Sequence, residues 1–523
     1  MARKIKPKVS VIGYGPKIDL GNKGEATPDE IIRFAALTTY KDISILDEIA
    51  ELKKEGEYDQ KIITKSLIGS AGAGHASMST TPGIWFMLEG DCSKAVDSIF
   101  TGTKYGSFLM PSSRRIPVNK EQIVVPDGIL KQDIGAVDQY MKASKGNIET
   151  YEFLKENKII SKQEASKIVQ YGHRGGGVMF MPLETIINFA KDFEDNDSIP
   201  QEGKEVISQL EEFIHNNGMG ITYEAKKSAP RIGSIIPTIF HYKKNIAQEL
   251  KFDPKNQFDP FLMNLTYIQS DQFEKQAFAY LKKHKEILSS VKNIKQGSKE
   301  LLNQLEPIVT GYNDCISATI GSRIPWRIWG EVKRHRTLDQ TPESIYWATK
   351  RAVEVNKKYL ENPNVDLVST FSPIFSIPNE LKKDRENLKK WVNTFSNSLT
   401  AYENLLNMGV KKSDAILVIP RGLKLNIVKR FNLFNLTAGY MSLRLCGTCE
   451  PEMKDLTEKE HKLILNNEIL PDQIKKLIMP KCGYVGFCPD RNCGKINKFV
   501  KFYDQDIHKK IKKHREAIIK SKL

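Results

Sequence analysis

The chain has 523 residues, 40% apolar and 27% charged, enough to bury sizeable cores in two to four domains and too apolar for a disordered chain. No apolar run reaches 18 residues, and the start MARKIKPKVSVIGYG is basic without the apolar centre of a secretory signal, so a soluble cytoplasmic protein with no membrane partner is expected. The formal charge of +16 favours polyanionic partners (nucleotides, dinucleotide cofactors, polyglutamylated pterins, nucleic acid), but lysine spread along the whole chain accounts for it equally well.

In chain order, residues 28–55 read as two amphipathic helices around a break. GIWFMLEGDCSKAVDSIF reads as a strand or buried stretch followed by a helix. Residues 147–170 and 201–216 are expected to be helical, and RIGSIIPTIFHY is a short apolar stretch. Proline, asparagine and aspartate in KFDPKNQFDPFLM mark a boundary near 250–262, and 272–310 is a lysine-rich helical connector. Then comes DCISATIGSRIPWRIWGEVKRHRTLDQTPESIYWATKRAVEVNKKYL, followed by helices to about 410, after which ILVIPRGLKLNIVKRFNLFNLTAGYMSLRLCG resembles a strand leading into a buried helix. The expected class is α+β with helices dominant.

Of seven cysteines, Cys446, Cys449, Cys482, Cys488 and Cys493 crowd the last hundred residues, while Cys92 and Cys315 stand apart. An odd count argues against a disulfide framework. Cys446, Cys482, Cys488 and Cys493 would suit a structural zinc site, with Cys449 as a spare. The alternatives are free thiols and a redox pair in CGTC.

Arg334, His335 and Arg336 form a triplet at a helix end, followed after seven residues by Ser344 (RHRTLDQTPES). Three consecutive cationic or donor side chains suit a diphosphate or an electron-rich reduced isoalloxazine, although the triplet alone also reads as a solvated basic turn. Trp326, Ile328, Trp329, Tyr346 and Trp347 flank it, which is unusual for a solvated face.

The pattern RHR-x7-S resembles the signature of the flavin-dependent thymidylate synthases, which methylate dUMP to dTMP using methylenetetrahydrofolate, FAD and NADPH. In that family the signature sits in a longer pattern: H-x-S, then E-G-x-S-R-A, then RHR-x7-S-x-R-Y. An altered copy lies in the first half of this chain. GHAS offers His75 and Ser77 for H-x-S, and LEGDCSKA offers Glu89, Gly90, Ser93 and Lys94. Counting on without a gap, RHR falls on Gly102, Thr103 and Lys104, the serine on Ser112 and the next arginine on Arg114. The second copy keeps RHR and Ser344 but has Tyr346 where the arginine should be. Near its end, Ile419-Pro420, Leu443-Arg444, Cys446 and Glu452 fit the family's closing pattern, while Cys449-Glu450-Pro451 replaces A-Q-W.

The resemblance implies two tandem copies of the family fold, helices around a mixed or antiparallel sheet: 1–255 a first copy lacking RHR, 256–300 a helical connector, 301–500 a second copy with the cysteine-rich end, and 501–523 a basic tail. It implies a methyltransferase of nucleotide biosynthesis. Arg334, His335 and Arg336, together with His75 and Ser77, would hold FAD. Ser112, Arg114, Ser344 and Arg444 would hold the nucleotide, and Arg334, His335 and Ser344 would stand nearest the chemistry. Taken on their own residues, His75 and Ser77 also read as a capped turn, and Arg444 as a helix-end cation paired with Glu450 or Glu452. The family is tetrameric, so a doubled chain implies a homodimer. Two rivals are a flavoenzyme acting on another uracil-type substrate and a non-catalytic nucleotide- or RNA-binding homologue.

Overall fold

The computed structural model describes residues 6–485, apart from 38–41, 43, 45–46, 50–59, 74, 76, 91, 112–115, 195, 231–232, 253–259 and 291–293, together with 513, 516–517 and 519–521. The chain forms two compact units that interleave along the sequence. The first comprises Met1–Lys244, Pro325–Gly330 and Ser344–Lys424, the second Asn245–Ile324, Glu331–Glu343 and Leu425–Leu523. No helix among the described residues is long and apolar enough to cross a membrane.

The sheet of the first unit contains β1 (Pro7–Gly15), β2 (Gly83–Gly90), β3 (Ser107–Leu109) and β4 (Gly177–Pro182) in the order β1-β2-β4-β3, each neighbour antiparallel. In β2 the period of two buries Ile84, Phe86 and Leu88, while Trp85 on the other face packs on cross-strand Phe180 with ring centroids 4.7 Å apart. Helix α1 (Lys94–Phe100) comes directly after β2, and the Ser93 hydroxyl caps it by accepting from the Val96 amide at 3.3 Å. The next long helix, α2 (Ile134–Glu156), starts thirteen residues before the expected 147 because Asp133 caps it, accepting from the Ala136 amide at 2.9 Å. Further along come α3 (Trp326–Val332) and α4 (Arg385–Asn407), the latter 23 residues long like α2. The buried stripe of α4 includes Leu388, Trp391, Val392, Phe395 and Leu399, and Phe395 stacks on Phe375 at 3.8 Å.

Packing of α2 on α4 is polar at its centre. The Ser398 hydroxyl donates to Asn147 Oδ1 at 2.9 Å, Asn147 Nδ2 donates to the Val418 carbonyl at 3.4 Å, and the Thr150 and Thr394 hydroxyls meet at 2.8 Å. Beside it two backbone segments exchange hydrogen bonds in matched pairs. Tyr171 N donates to Ile419 O at 3.2 Å, and Arg421 N donates to Val169 O at 3.0 Å. Gly172 N donates to Leu417 O at 2.8 Å, and Gly422 N to Lys167 O at 2.7 Å. Within each pair of bonds the two donors, and likewise the two acceptors, stand 250 positions apart, so the two segments are related as by a local two-fold, with Gln170 opposite Pro420 at its centre. Two glycines make this approach feasible. A Cβ at Gly172 would lie 2.8 Å from the Leu417 carbonyl oxygen, and one at Gly422 would lie 3.0 Å from the Lys167 carbonyl oxygen and 2.5 Å from the Phe375 ring.

The second unit is built on β5 (Phe261–Tyr267), β6 (Ile316–Pro325), β7 (Asp339–Pro342) and β8 (Lys424–Phe431), in the order β5-β6-β8-β7. This is the same permutation as in the first sheet, and β5–β6 and β8–β7 are antiparallel like their counterparts. Both second strands lead into a seven-residue helix, α1 and α3. β5 falls inside the segment expected to be a purely helical connector; FLMNLTY lacks clean alternation, with Leu265 its buried residue, and its Asn264 weakens the strand signal. β1 was likewise not anticipated. The helix pair α5 (Tyr440–Arg444) and α6 (Pro451–Leu465) comes after β8.

Replacing Gly172 or Gly422 by alanine is expected to destabilise the protein by about 1–3 kcal/mol, the usual cost of overpacking. Gly146 of α2 would meet nothing within 4 Å, so Gly146→Ala is expected to gain about 0.5–1 kcal/mol from helix propensity. Denaturant midpoints for the three variants check this; equal shifts would refute the need for glycine at the close approach.

Candidate functional site

α3 ends at Val332, and a tight turn comes next. Arg334 N donates to Glu331 O at 3.4 Å, His335 N to Val332 O at 3.0 Å and Leu338 N to His335 O at 3.0 Å. The turn leaves Arg334 and Arg336 exposed on either side of a half-buried His335. In the first unit, Gly102, Thr103 and Lys104 come after α1 at the corresponding place.

Arg444 comes to this turn from more than a hundred residues away. Its Nε donates to His335 Nε2 at 2.8 Å, its Nη1 to Glu331 Oε2 at 3.0 Å and its Nη2 to the Glu331 carbonyl at 3.1 Å. Cys449 Sγ lies 3.9 Å from Nη1. A guanidinium held by a carboxylate and a carbonyl is a rigid fork. The partner carboxylate is therefore Glu331, while Glu450 caps α6, its Oε2 accepting from the Met453 amide at 2.7 Å. His335 is desolvated and faces the Arg444 and Lys429 cations, which hold its imidazole well below the usual range, at about 4. It is thus neutral near pH 7, and because Nε2 accepts, its proton sits on Nδ1. Tyr440 meets the imidazole edge-on with centroids 5.0 Å apart.

Beneath lies a fully buried polar chain. Lys429 Nζ pairs with Glu460 and also donates to the Tyr440 hydroxyl at 3.2 Å, and Ser322 Oγ donates to Glu460 Oε1 at 2.6 Å. Attraction to Glu460 and Tyr440 keeps Lys429 charged despite its burial. The loop beyond the triplet is pinned by Asn435, whose Nδ2 donates to Thr337 O at 2.9 Å while its Oδ1 accepts from the Thr337 hydroxyl at 3.1 Å. Asn432 caps the short helix Leu433–Thr437. These two asparagines are thereby accounted for as scaffold.

Ser344 belongs to the first unit, where it is fully buried and its hydroxyl donates to the His241 carbonyl. His75 and Ser77 are exposed in the first unit, Ser77 opening the short helix Ser77–Thr80. Ser112, Arg114, Cys488 and Cys493 lie outside the described residues. Cys446, Cys449 and Cys482 are half-buried, and among the described residues no group of three metal-ligand side chains includes a cysteine. Sequence reasoning missed Glu331. Its only signal is E-x-x-R on a helix end, which reads as a local i,i+3 pair with Arg334.

The family model described as "Thymidylate synthase complementing protein" matches residues 273–467. The flavin-dependent thymidylate synthase of Pyrococcus furiosus is 31% identical over 167 residues, covering 31% of this chain and 60% of that protein. Its Pyrococcus abyssi counterpart is 28% identical over 162 residues, covering 31% and 59%. The chain thus spans about 60% of the length of the curated relatives it matches. Two solved structures align at low similarity. One is a UMP/dUMP methylase, PolB, from Streptomyces cacaoi (TM-score 0.33, 14% identity, 43% of this chain and 97% of that one). The other is the flavin-dependent thymidylate synthase ThyX from Helicobacter pylori complexed with FAD and dUMP (TM-score 0.29, 13% identity, 42% and 98%). The matched segment holds the triplet, Glu331, Arg444 and Glu460, and it is this segment that is similar to the flavin-dependent thymidylate synthases.

Proposed function

We propose that the protein is an FAD-dependent methyltransferase that converts dUMP to dTMP, with methylenetetrahydrofolate and NADPH as co-substrates. The observation that carries this reading is the convergence of His335 and Arg444, two motif residues 109 positions apart, in one hydrogen-bonded group within the family-matched segment. The donor set suits a flavin. Exposed Arg334 and Arg336 offer charge to a diphosphate, and neutral His335 offers an N–H to an electron-rich ring. When bound, FAD supplies the hydride that reduces the one-carbon unit on the uracil ring. The chain's own task is to hold planar ligands with fixed donors in a partly desolvated site.

Tandem duplication belongs to the same proposal. It is supported by the identical strand permutation of the two sheets and the hydrogen bonds repeated at a 250-residue offset. A doubled chain would associate as a homodimer.

A second reading, methylation of another uracil-type substrate, is favoured by two departures from the family pattern. Tyr346 stands where a nucleotide-binding arginine is expected, and it is buried with its hydroxyl donating to the Ser198 carbonyl at 2.6 Å. Glu450, in place of the family's glutamine, serves as a helix cap.

Purified protein incubated with FAD is expected to show bound-flavin absorbance, and His335→Ala is expected to weaken FAD binding about tenfold, one hydrogen bond of roughly 1.4 kcal/mol. Unaltered affinity in that variant would remove His335 from the flavin site. Tritium release from 5-tritiated dUMP, dependent on FAD and methylenetetrahydrofolate, is expected of the first reading. Release from 5-tritiated UMP alone would select the second, and release from neither would reject both.

A further inference from the structure

We infer that Glu331 is the positioning residue of this site: by gripping Arg444 it aims the guanidinium Nε at His335 Nε2, which fixes the imidazole as a neutral Nδ1–H donor. What that donor meets rests on the flavin reading above; the positioning itself does not.

An imidazolium has no lone pair, so a histidine that accepts at Nε2 from a permanent cation at 2.8 Å must be unprotonated there. An unrestrained arginine would turn its fork to water or to an anion. Here it cannot, because the Glu331 carboxylate takes Nη1, the Glu331 carbonyl takes Nη2 and the Cys449 sulfur lies against Nη1. Four of the five N–H donors of Arg444 are thus committed. The pair is shielded, with side-chain exposures of 16% for Arg444 and 5% for Glu331, so it is not the weak contact expected of an exposed surface bridge. Of the other groups facing the imidazole, Lys429 adds a second cation, which reinforces the neutral form, and Tyr440 meets it edge-on. Glu331 alone pulls the other way, and less strongly than Arg444 pushes. Its net effect through Arg444 is to keep the histidine neutral. Only the arginines of the triplet then carry charge, and the histidine contributes a directional donor.

Nitrogen-15 labelling of histidine, with the His335 signal assigned by its loss in His335→Gln, reads both tautomer and titration in the flavin-free protein. In the wild type His335 is expected as the Nδ1–H tautomer and to stay neutral through pH 5. In Glu331→Ala the Nη1 grip on Arg444 is lost while the backbone carbonyl remains; the imidazole stays desolvated, and it is expected to show mixed tautomers and to titrate above the wild type. Glu331→Gln keeps an acceptor for Nη1 and is expected to restore the wild-type tautomer, whereas Arg444→Met should behave like Glu331→Ala. An Nε2–H tautomer in the wild type, or a Glu331→Ala protein that titrates like the wild type, overturns the proposal. Because the readout needs no flavin, failure of FAD to bind while the tautomer result holds would count against the proposed function alone.

Discussion

The first unit depends on one close approach, the exchange of backbone hydrogen bonds between residues 167–172 and 417–422. At two positions of this exchange a Cβ would collide with the facing carbonyl oxygen, and Gly172 and Gly422 stand there. β4 and β8 begin within a few residues of these glycines. From β8 the chain runs on to the short helix that bears Arg444.

Charge is treated differently at each depth of the molecule. Arg421, fully buried beside the exchange, has carbonyl acceptors: its Nη2 donates to Ser166 O at 2.7 Å and its Nε to Val169 O at 3.3 Å, and desolvation lowers its pKa to about 10. Lys429 keeps its proton through Glu460 and the Tyr440 hydroxyl. Removing either member of that pair alone would leave an uncompensated buried charge, which is the costly way to break such a bridge. At the half-buried level Arg444 is held by one carboxylate, one carbonyl and one imidazole. At the surface Arg334 and Arg336 remain exposed.

Much of the second unit was legible in the sequence. The triplet and the arginine near the end of the chain carry unusual residue types at characteristic spacing, and such side chains announce themselves. The helix-dominated α+β character also came through in the periodicity. What stayed hidden depends on partners distant in sequence. Glu331 drew no notice because a partner of its carboxylate, Arg444, stands 113 residues on. Ser344 looked like a ligand contact, but a serine hydroxyl is equally suited to a buried carbonyl, and His241 O takes it. β1 and β5 were missed because PKVSVIGYG and FLMNLTY are short and only partly alternating, so their identity as strands comes from β2 and β6 beside them. The interleaving of the units was equally hidden, because chain crossings leave no mark in composition.

The helices α2 and α4 belong to a single polypeptide, so their association is intramolecular. Its equilibrium does not shift on dilution, unlike that of two free subunits, whose folding is inseparable from their concentration. A tether of this kind also relaxes a restraint on sequence drift. In a symmetric pair every substitution appears on both sides of the axis and must be compatible with itself. Here each side is free to change alone, and Gln170 faces Pro420 across the centre.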